Sequence, residues 1–213
     1  MKPNKRDVRC VIVGGAEIRE YGFIRSQFRP DDYFVYCDSG LRHEGALGRR
    51  PDLIVGDFDS FAKPVTDTET IALPREKDDT DTFFAAKEAV RRGFEEFLLL
   101  GVIGGRLDHT LANLSILLYL DRLGKRGLII DDFSEMEIVS SAPAFVSDSC
   151  AFFSLLCLDG TASGVNIKNA RFPLQNGTVT GDFQYAVSNE VLPGMTAEVS
   201  VASGRLLLIR DRP

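Results

Sequence analysis

Short runs of β-branched and other apolar residues recur through roughly the first 130 positions, and helical spacings fill most of the intervals between them. Residues 8–13 form such a run, ending in Gly14-Gly15, and predict a strand followed by a glycine turn. A helix is expected over 18–28, broken by Pro30-Asp31-Asp32, then strands over 33–37, 53–55 and, more weakly, 70–73. Residues 79–92 place Phe83, Ala86, Ala89 and Val90 at helical spacing, closed by Gly93. A strand over 97–100, a helix over 107–122 and a strand over 127–130 follow. In that last helix Leu107, Leu111, Leu114, Leu117 and Leu118 are expected to share the buried face. Strands alternating with crossover helices imply a Rossmann-like α/β domain, a mostly parallel sheet with flanking helices.

Beyond residue 132 helical spacing disappears. Short β-type runs at 137–140, 152–158, 178–180, 185–188, 196–201 and 205–209 are separated by Asp-Gly, Asn-Gly, Pro-Gly and Ser-Gly pairs. This predicts a second, antiparallel β-sandwich or barrel, with domains 1–132 and 133–213.

Composition narrows the partners. The chain has 213 residues, 44% of them hydrophobic, enough for real cores, and a net charge of −6 without a long Lys/Arg run. Nucleic acid is therefore not expected, and the acidic excess suits either metal ions or a solvated surface. Four cysteines without CxxC spacing indicate neither zinc nor a disulfide framework, and Cys10, Cys37 and Cys157 sit in apolar runs as small hydrophobes would. No apolar run approaches the roughly 20 residues that span a bilayer, so a cytoplasmic protein without membrane partners is expected.

The candidate chemistry gathers at predicted strand ends, where open parallel sheets bind ligands. Gly14-Gly15 follows the first strand, Asp38-Ser39-Gly40 the second, Asp57-Phe58-Asp59-Ser60 the third, and residues 101–109 the strand over 97–100. Asp57 and Asp59, two apart, can share one cation or close an Asx turn. Asp78 and Asp81 flank Thr80 at a helix start, beside Lys77; there they serve a metal or simply cap the helix. Gly104-Gly105-Arg106 allows close backbone approach to a phosphate and adds a planar guanidinium. Asp108 completes a metal shell or caps its helix, and His109 is one of only two histidines. Hard carboxylate ligands, glycine turns and cations together suit a magnesium–triphosphate complex. Neither GxGxxG nor GxxxxGK[ST] occurs.

In order, Asp38-Ser39-Gly40, the block from Pro51 to Ser60, Lys77-Asp78-Asp79-Thr80-Asp81, Gly104-Gly105-Arg106-Leu107-Asp108-His109 and Ser188-Asn189-Glu190 resemble the thiamine pyrophosphokinase family over nearly the whole chain. The resemblance implies an α/β catalytic domain joined to a β-sandwich, a homodimer with its site at the subunit interface, and magnesium-dependent transfer of pyrophosphate from ATP to thiamine. By the same resemblance Asp57, Asp59, Asp78, Asp81 and Asp108 take the magnesium and phosphate positions, Arg106 and Lys77 the triphosphate contacts, and Ser188 and Asn189 the thiamine side. Some members stack thiamine on a Trp; this chain has none, leaving Phe183 or Tyr185 as stand-ins. The rival readings are a pyrophosphokinase acting on a hydroxymethyl-pterin and a non-catalytic nucleotide sensor.

Overall fold

A computed structural model describes residues 5–59, 65–76 and 78–213. The chain divides into two compact units, Met1–Asp132 and Phe133–Pro213.

In the first unit, β1 (Arg9–Val13), β2 (Tyr33–Cys37), β3 (Leu53–Gly56), β4 (Thr70–Ala72), β5 (Glu96–Leu100) and β6 (Arg126–Ile130) pair in parallel, in the order β4-β3-β2-β1-β5-β6. Because side chains alternate along a strand, Val11, Val13, Phe34, Tyr36, Ile54, Leu98, Leu100 and Ile130 point to one face. There they meet Ile24 of α1 (Tyr21–Ser26), Leu41 of a 3₁₀ segment (Asp38–His43) and Leu47 of α2 (Glu44–Leu47). Helix α3 (Asp81–Arg91) packs on β1, β2 and β3, and α4 (Leu107–Arg122) packs on β6. The strands therefore carry nearly continuous apolar runs, buried on both sides. Cys10, Cys37 and Cys157 are buried free thiols, as expected of small hydrophobes.

Two expectations in this unit are corrected. The helix expected over 18–28 is confined to Tyr21–Ser26: before it the N–H groups of Arg19 and Glu20 donate to the Asp132 carboxylate, and after it those of Gln27 and Phe28 turn back in i→i−3 bonds to Ile24 O and Arg25 O. On α4 the buried stripe is Asn113, Ile116, Leu117 and Leu120, whereas Leu107 and Leu111 are 70% and 59% exposed. At 100° per residue, positions 113, 116, 117 and 120 fall on one face and 107 and 111 on another. The 3₁₀ segment and α2 were not expected at all.

In the second unit β13 (Leu206–Asp211) pairs antiparallel with β7 (Ser134–Val139) and β9 (Phe152–Leu156). A separate antiparallel sheet has the order β11 (Leu174–Thr180), β10 (Thr161–Lys168), β12 (Thr196–Ser200), β8 (Ala144–Ser147). Alternate residues of both sheets, among them Val146, Phe153, Leu155, Val165, Ile167, Val199 and Leu208, close one sandwich core. The mixed α/β class with an added antiparallel domain is thus met. β8 and β10 were missed, and β10 hides because small and polar residues fill its outward positions and its pairing with β11 shifts register around Gly164. The strand expected over 185–188 is instead an irregular segment along β9. It is held by bonds such as Leu155 N–H to Ala186 O and ends at Ser188 with φ +54°. Among the described residues no helix is long and apolar enough to cross a membrane.

Candidate active site

The strand order reverses between β1 and β5, so the segments leaving their carboxyl ends run to opposite sides and open a crevice. Gly14 N–H donates to Leu100 O and Ala16 N–H to Gly101 O, both at 2.8 Å, which ties the two segments together across its base. A Cβ at Gly14 would lie 2.6 Å from Gly101 O, and one at Gly101, where φ is +60°, 2.6 Å from Gly14 O. Only glycine fits at either position. His43 braces the same turn: the Ala16 carbonyl accepts from Nε2 at 2.9 Å, so Nδ1 accepts from the Tyr21 hydroxyl at 2.7 Å. Burial lowers the His43 pKa, in keeping with this neutral form.

The crevice widens into a cavity of about 480 Å³ lined by Gly14, Gly15, Asp38, Ser39, Asp57, Asp59, Thr80, Asp81, Gly104, Gly105, Arg106 and His109, all named from sequence. Gly101 and Val102, at the start of the block over 101–109, also line it, as do Ala16, Thr82 and Asn113, which were not named. One carboxylate oxygen from each of Asp38, Asp57 and Asp81 lies within 4.8 Å of the others. Each comes from a different element: Asp38 follows β2 in a left-handed conformation (φ +39°), Asp57 follows β3, and Asp81 opens α3 behind the N-cap Thr80. Asp38 is only 6% exposed, and its Oδ1 is buried with no hydrogen-bond partner among the described residues. Burial foremost, then Asp81, Asp57 and Asp59, raise its pKa, against a lowering bond from the Ser39 backbone. Asp59 N–H donates to Asp57 Oδ1 at 3.3 Å, as in an Asx turn, and both residues line the cavity.

The remaining candidates fall elsewhere. Asp78 is exposed and does not line the cavity, and Lys77 and Ser60 lie outside the described residues. Gly40 is buried against the Val13 carbonyl beneath the loop. Asp108 also stays off the cavity wall: it holds Arg106 in a two-pronged pair, Nη2–Oδ2 2.6 Å and Nε–Oδ1 3.2 Å, and accepts from His109 N–H. That pairing keeps the Asp108 pKa low.

In the second unit Asn189 is 3% exposed and works as a brace. Its Oδ1 accepts from Phe172 N–H (3.0 Å) and Glu190 N–H (2.9 Å), and its Nδ2 donates to Phe172 O (2.7 Å). Ser188 is exposed. A cavity of about 330 Å³ opens there, lined by Phe172, Leu174, Tyr185, Val187 and Asn189 among others. Phe183 stacks obliquely on Tyr185, with ring centres 5.2 Å apart, but does not line that cavity.

An open parallel sheet with an acidic crevice at its switch point, followed in the chain by a β-sandwich, defines a doubly wound α/β protein with an added all-β domain. Residues 24–127 match the model of "Thiamin pyrophosphokinase, catalytic domain" and residues 146–206 that of "Thiamin pyrophosphokinase, vitamin B1 binding domain", together most of the chain. The chain belongs to the thiamin pyrophosphokinase family, which implies a pyrophosphotransferase. It is 24% identical over 164 residues to the thiamine pyrophosphokinase of Bacillus subtilis (strain 168), covering 73% of this chain and 76% of that protein. The crystal structure of thiamine pyrophosphokinase from Bacillus subtilis superposes with a TM-score of 0.82 at 20% identity, over 96% of this chain and 99% of that one. That of a thiamin pyrophosphokinase family protein from Enterococcus faecalis gives 0.79 at 26% identity, with 96% and 99% covered.

Proposed function

We propose that this chain transfers the terminal diphosphate of ATP to the hydroxyl of thiamine, forming thiamine diphosphate and AMP. The observation that carries the reading is the carboxylate trio Asp38, Asp57 and Asp81, in which Asp38 also has a buried oxygen without a hydrogen-bond partner among the described residues. Such a set is costly to ionise without a cation, and hard oxygens at this spacing suit magnesium. Those three residues would hold the ion, with Asp59 on the adjoining wall. Magnesium bound there would supply Lewis-acid polarisation and neutralise phosphate charge.

The chain's own groups do the rest. Gly14-Gly15 and Gly104-Gly105 let the backbone approach the triphosphate, and Arg106, exchanging Asp108 for phosphate oxygens, orients it by two parallel bonds. Lys77 is retained as a further triphosphate contact. The thiamine oxygen forms its bond to the β-phosphorus as the bond to the bridging α–β oxygen breaks, and a carboxylate of the pocket accepts the hydroxyl proton. Thiamine is held by the second domain, its rings against Phe172 and Tyr185 in the smaller cavity, with Asn189 shaping the wall and the exposed Ser188 offering its hydroxyl to the ligand. We infer a homodimer with the site completed at the subunit interface; the exposed Phe145, Phe152, Phe172, Phe183 and Val187 of that domain are the surface that supports it.

The test is AMP release from ATP with thiamine, with a hydroxymethyl-pterin, and with no acceptor. Release that depends on thiamine and on a divalent cation is expected. Release only with the pterin, or nucleotide binding without any release, overturns the reading.

A further inference from the structure

The larger cavity is walled by segments far apart in sequence, and one buried side chain is bonded to two of them. Asn113 lies on the inward stripe of α4, 5% exposed. Its Nδ2 donates to Val102 O at 2.8 Å, in the segment that leads to Gly104-Gly105-Arg106. Its Oδ1 accepts from Thr82 Oγ1 at 2.6 Å, in the first turn of α3 next to Asp81. Thr82 Oγ1 lies 3.1 Å from Thr80 Oγ1, and Thr80 Oγ1 accepts from Phe83 N–H as the cap of the same helix. The threonine hydroxyl that donates to Asn113 has one proton, so Thr80 must donate to Thr82 for every short contact in the chain to be a hydrogen bond. One directed relay therefore runs Thr80 to Thr82 to Asn113 to Val102.

We propose that Asn113 is a positioning residue that sets the separation between the phosphate-side loop and the acidic start of α3, with Thr82 as its link to the metal side. An amide carries its donor and its acceptor on two separate atoms, so one side chain can bridge a carbonyl on one side and a hydroxyl on the other, as Asn113 does here. A leucine of similar shape would fill the space and hold neither. The inference rests on the proposed magnesium and phosphate sites, but its test does not need turnover.

Calorimetric titrations with Mg²⁺ alone and with inorganic diphosphate alone, well below the melting temperature, separate the two arms. Thr82→Val keeps the shape and loses the donor, so Mg²⁺ affinity should fall about fivefold or more with diphosphate affinity within about twofold. Asn113→Leu should weaken both by about fivefold or more, and Thr82→Ser should match the wild type. A lower melting temperature with both constants unchanged in Thr82→Val and Asn113→Leu makes the network purely structural and overturns the inference, as does a wild type that binds neither ion. Should Asn113→Leu not fold, an unchanged Mg²⁺ constant in Thr82→Val overturns it alone. A wild type that binds both ions yet releases no AMP refutes the transferase reading, while the binding constants still decide this one.

Discussion

Replacing Asp38 by Asn should stabilise the metal-free protein and remove its response to magnesium. With carboxylate oxygens within 4.8 Å, two full charges repel by about 3.5 kcal/mol at an effective dielectric near 20, and Asp38 faces two such neighbours. Solvent screening and relaxation of the loop take back part of that repulsion, so the net gain on neutralisation is about 1–3 kcal/mol. In a chain of 213 residues that corresponds to a melting temperature higher by about 3–9 °C in EDTA. The wild type should recover in magnesium, by about 2.7 kcal/mol at a hundred times its dissociation constant, and the variant should not. Thermal melts in EDTA and in magnesium, paired with AMP release, read all three quantities. A variant less stable than wild type in EDTA, or one that keeps the full magnesium increment, would refute the electrostatic account of the trio.

Arg106→Lys should lower kcat/KM for ATP by about tenfold or more, since an ammonium cannot make the paired contact of a guanidinium, with the melting temperature unchanged because the Asp108 pair is exposed; wild-type kinetics would demote Arg106 to a surface residue. Asn189→Ala should cost about 2 kcal/mol or more in chemical denaturation, because three bonds to backbone are lost together, and a change confined to the thiamine KM would instead make it a direct ligand contact. Glu88, bonded to Arg91 and then Arg92, has its pKa depressed to about 2. Its contribution is present above the ordinary carboxylate range and is lost as pH falls toward that value. Glu88→Gln should therefore cost about 1–2 kcal/mol at neutral pH and almost nothing near pH 2, and a penalty constant with pH would exclude the ion pair as its cause.

What could be read from sequence followed the strength of local signals. The helix over 107–122 and the strand over 33–37 coincide with α4 and β2 because their bounds are set by nearby residues: a glycine-rich start for one, Pro30 and a polar stop for the other. Which side of α4 faces inward was misread because the leucines were counted and Asn113 was passed over, although a lone amide in the 113-116-117-120 stripe was a readable sign of a buried polar bond. Much of the glycine and aspartate blocks lines one cavity, with Gly40, Asp78 and Asp108 outside it, since the carboxyl ends of parallel strands lie along one edge of the sheet. That Asp38 approaches Asp57 and Asp81 was not legible, because it depends on the pairing of β2 with β3 and on a left-handed residue that no local rule demands of Asp. β10 escaped for the opposite reason: its identity comes from partners on both sides, not from its own composition.

The paired glycines at the base of the crevice carry a genetic consequence. In most tight contacts a larger residue on one side can be accommodated by a smaller one opposite. Here the obstacle to a Cβ at Gly14 is the carbonyl of Gly101, and the reverse, so each position is blocked by an atom that no codon change can remove. Second-site suppressors of Gly14→Ala or Gly101→Ala are therefore excluded at the partner position and must come from segments that let β1 and β5 slide apart. The width of the crevice is thereby uncoupled from side-chain drift: lineages can exchange the groups that touch a ligand while the slot that admits it stays the same.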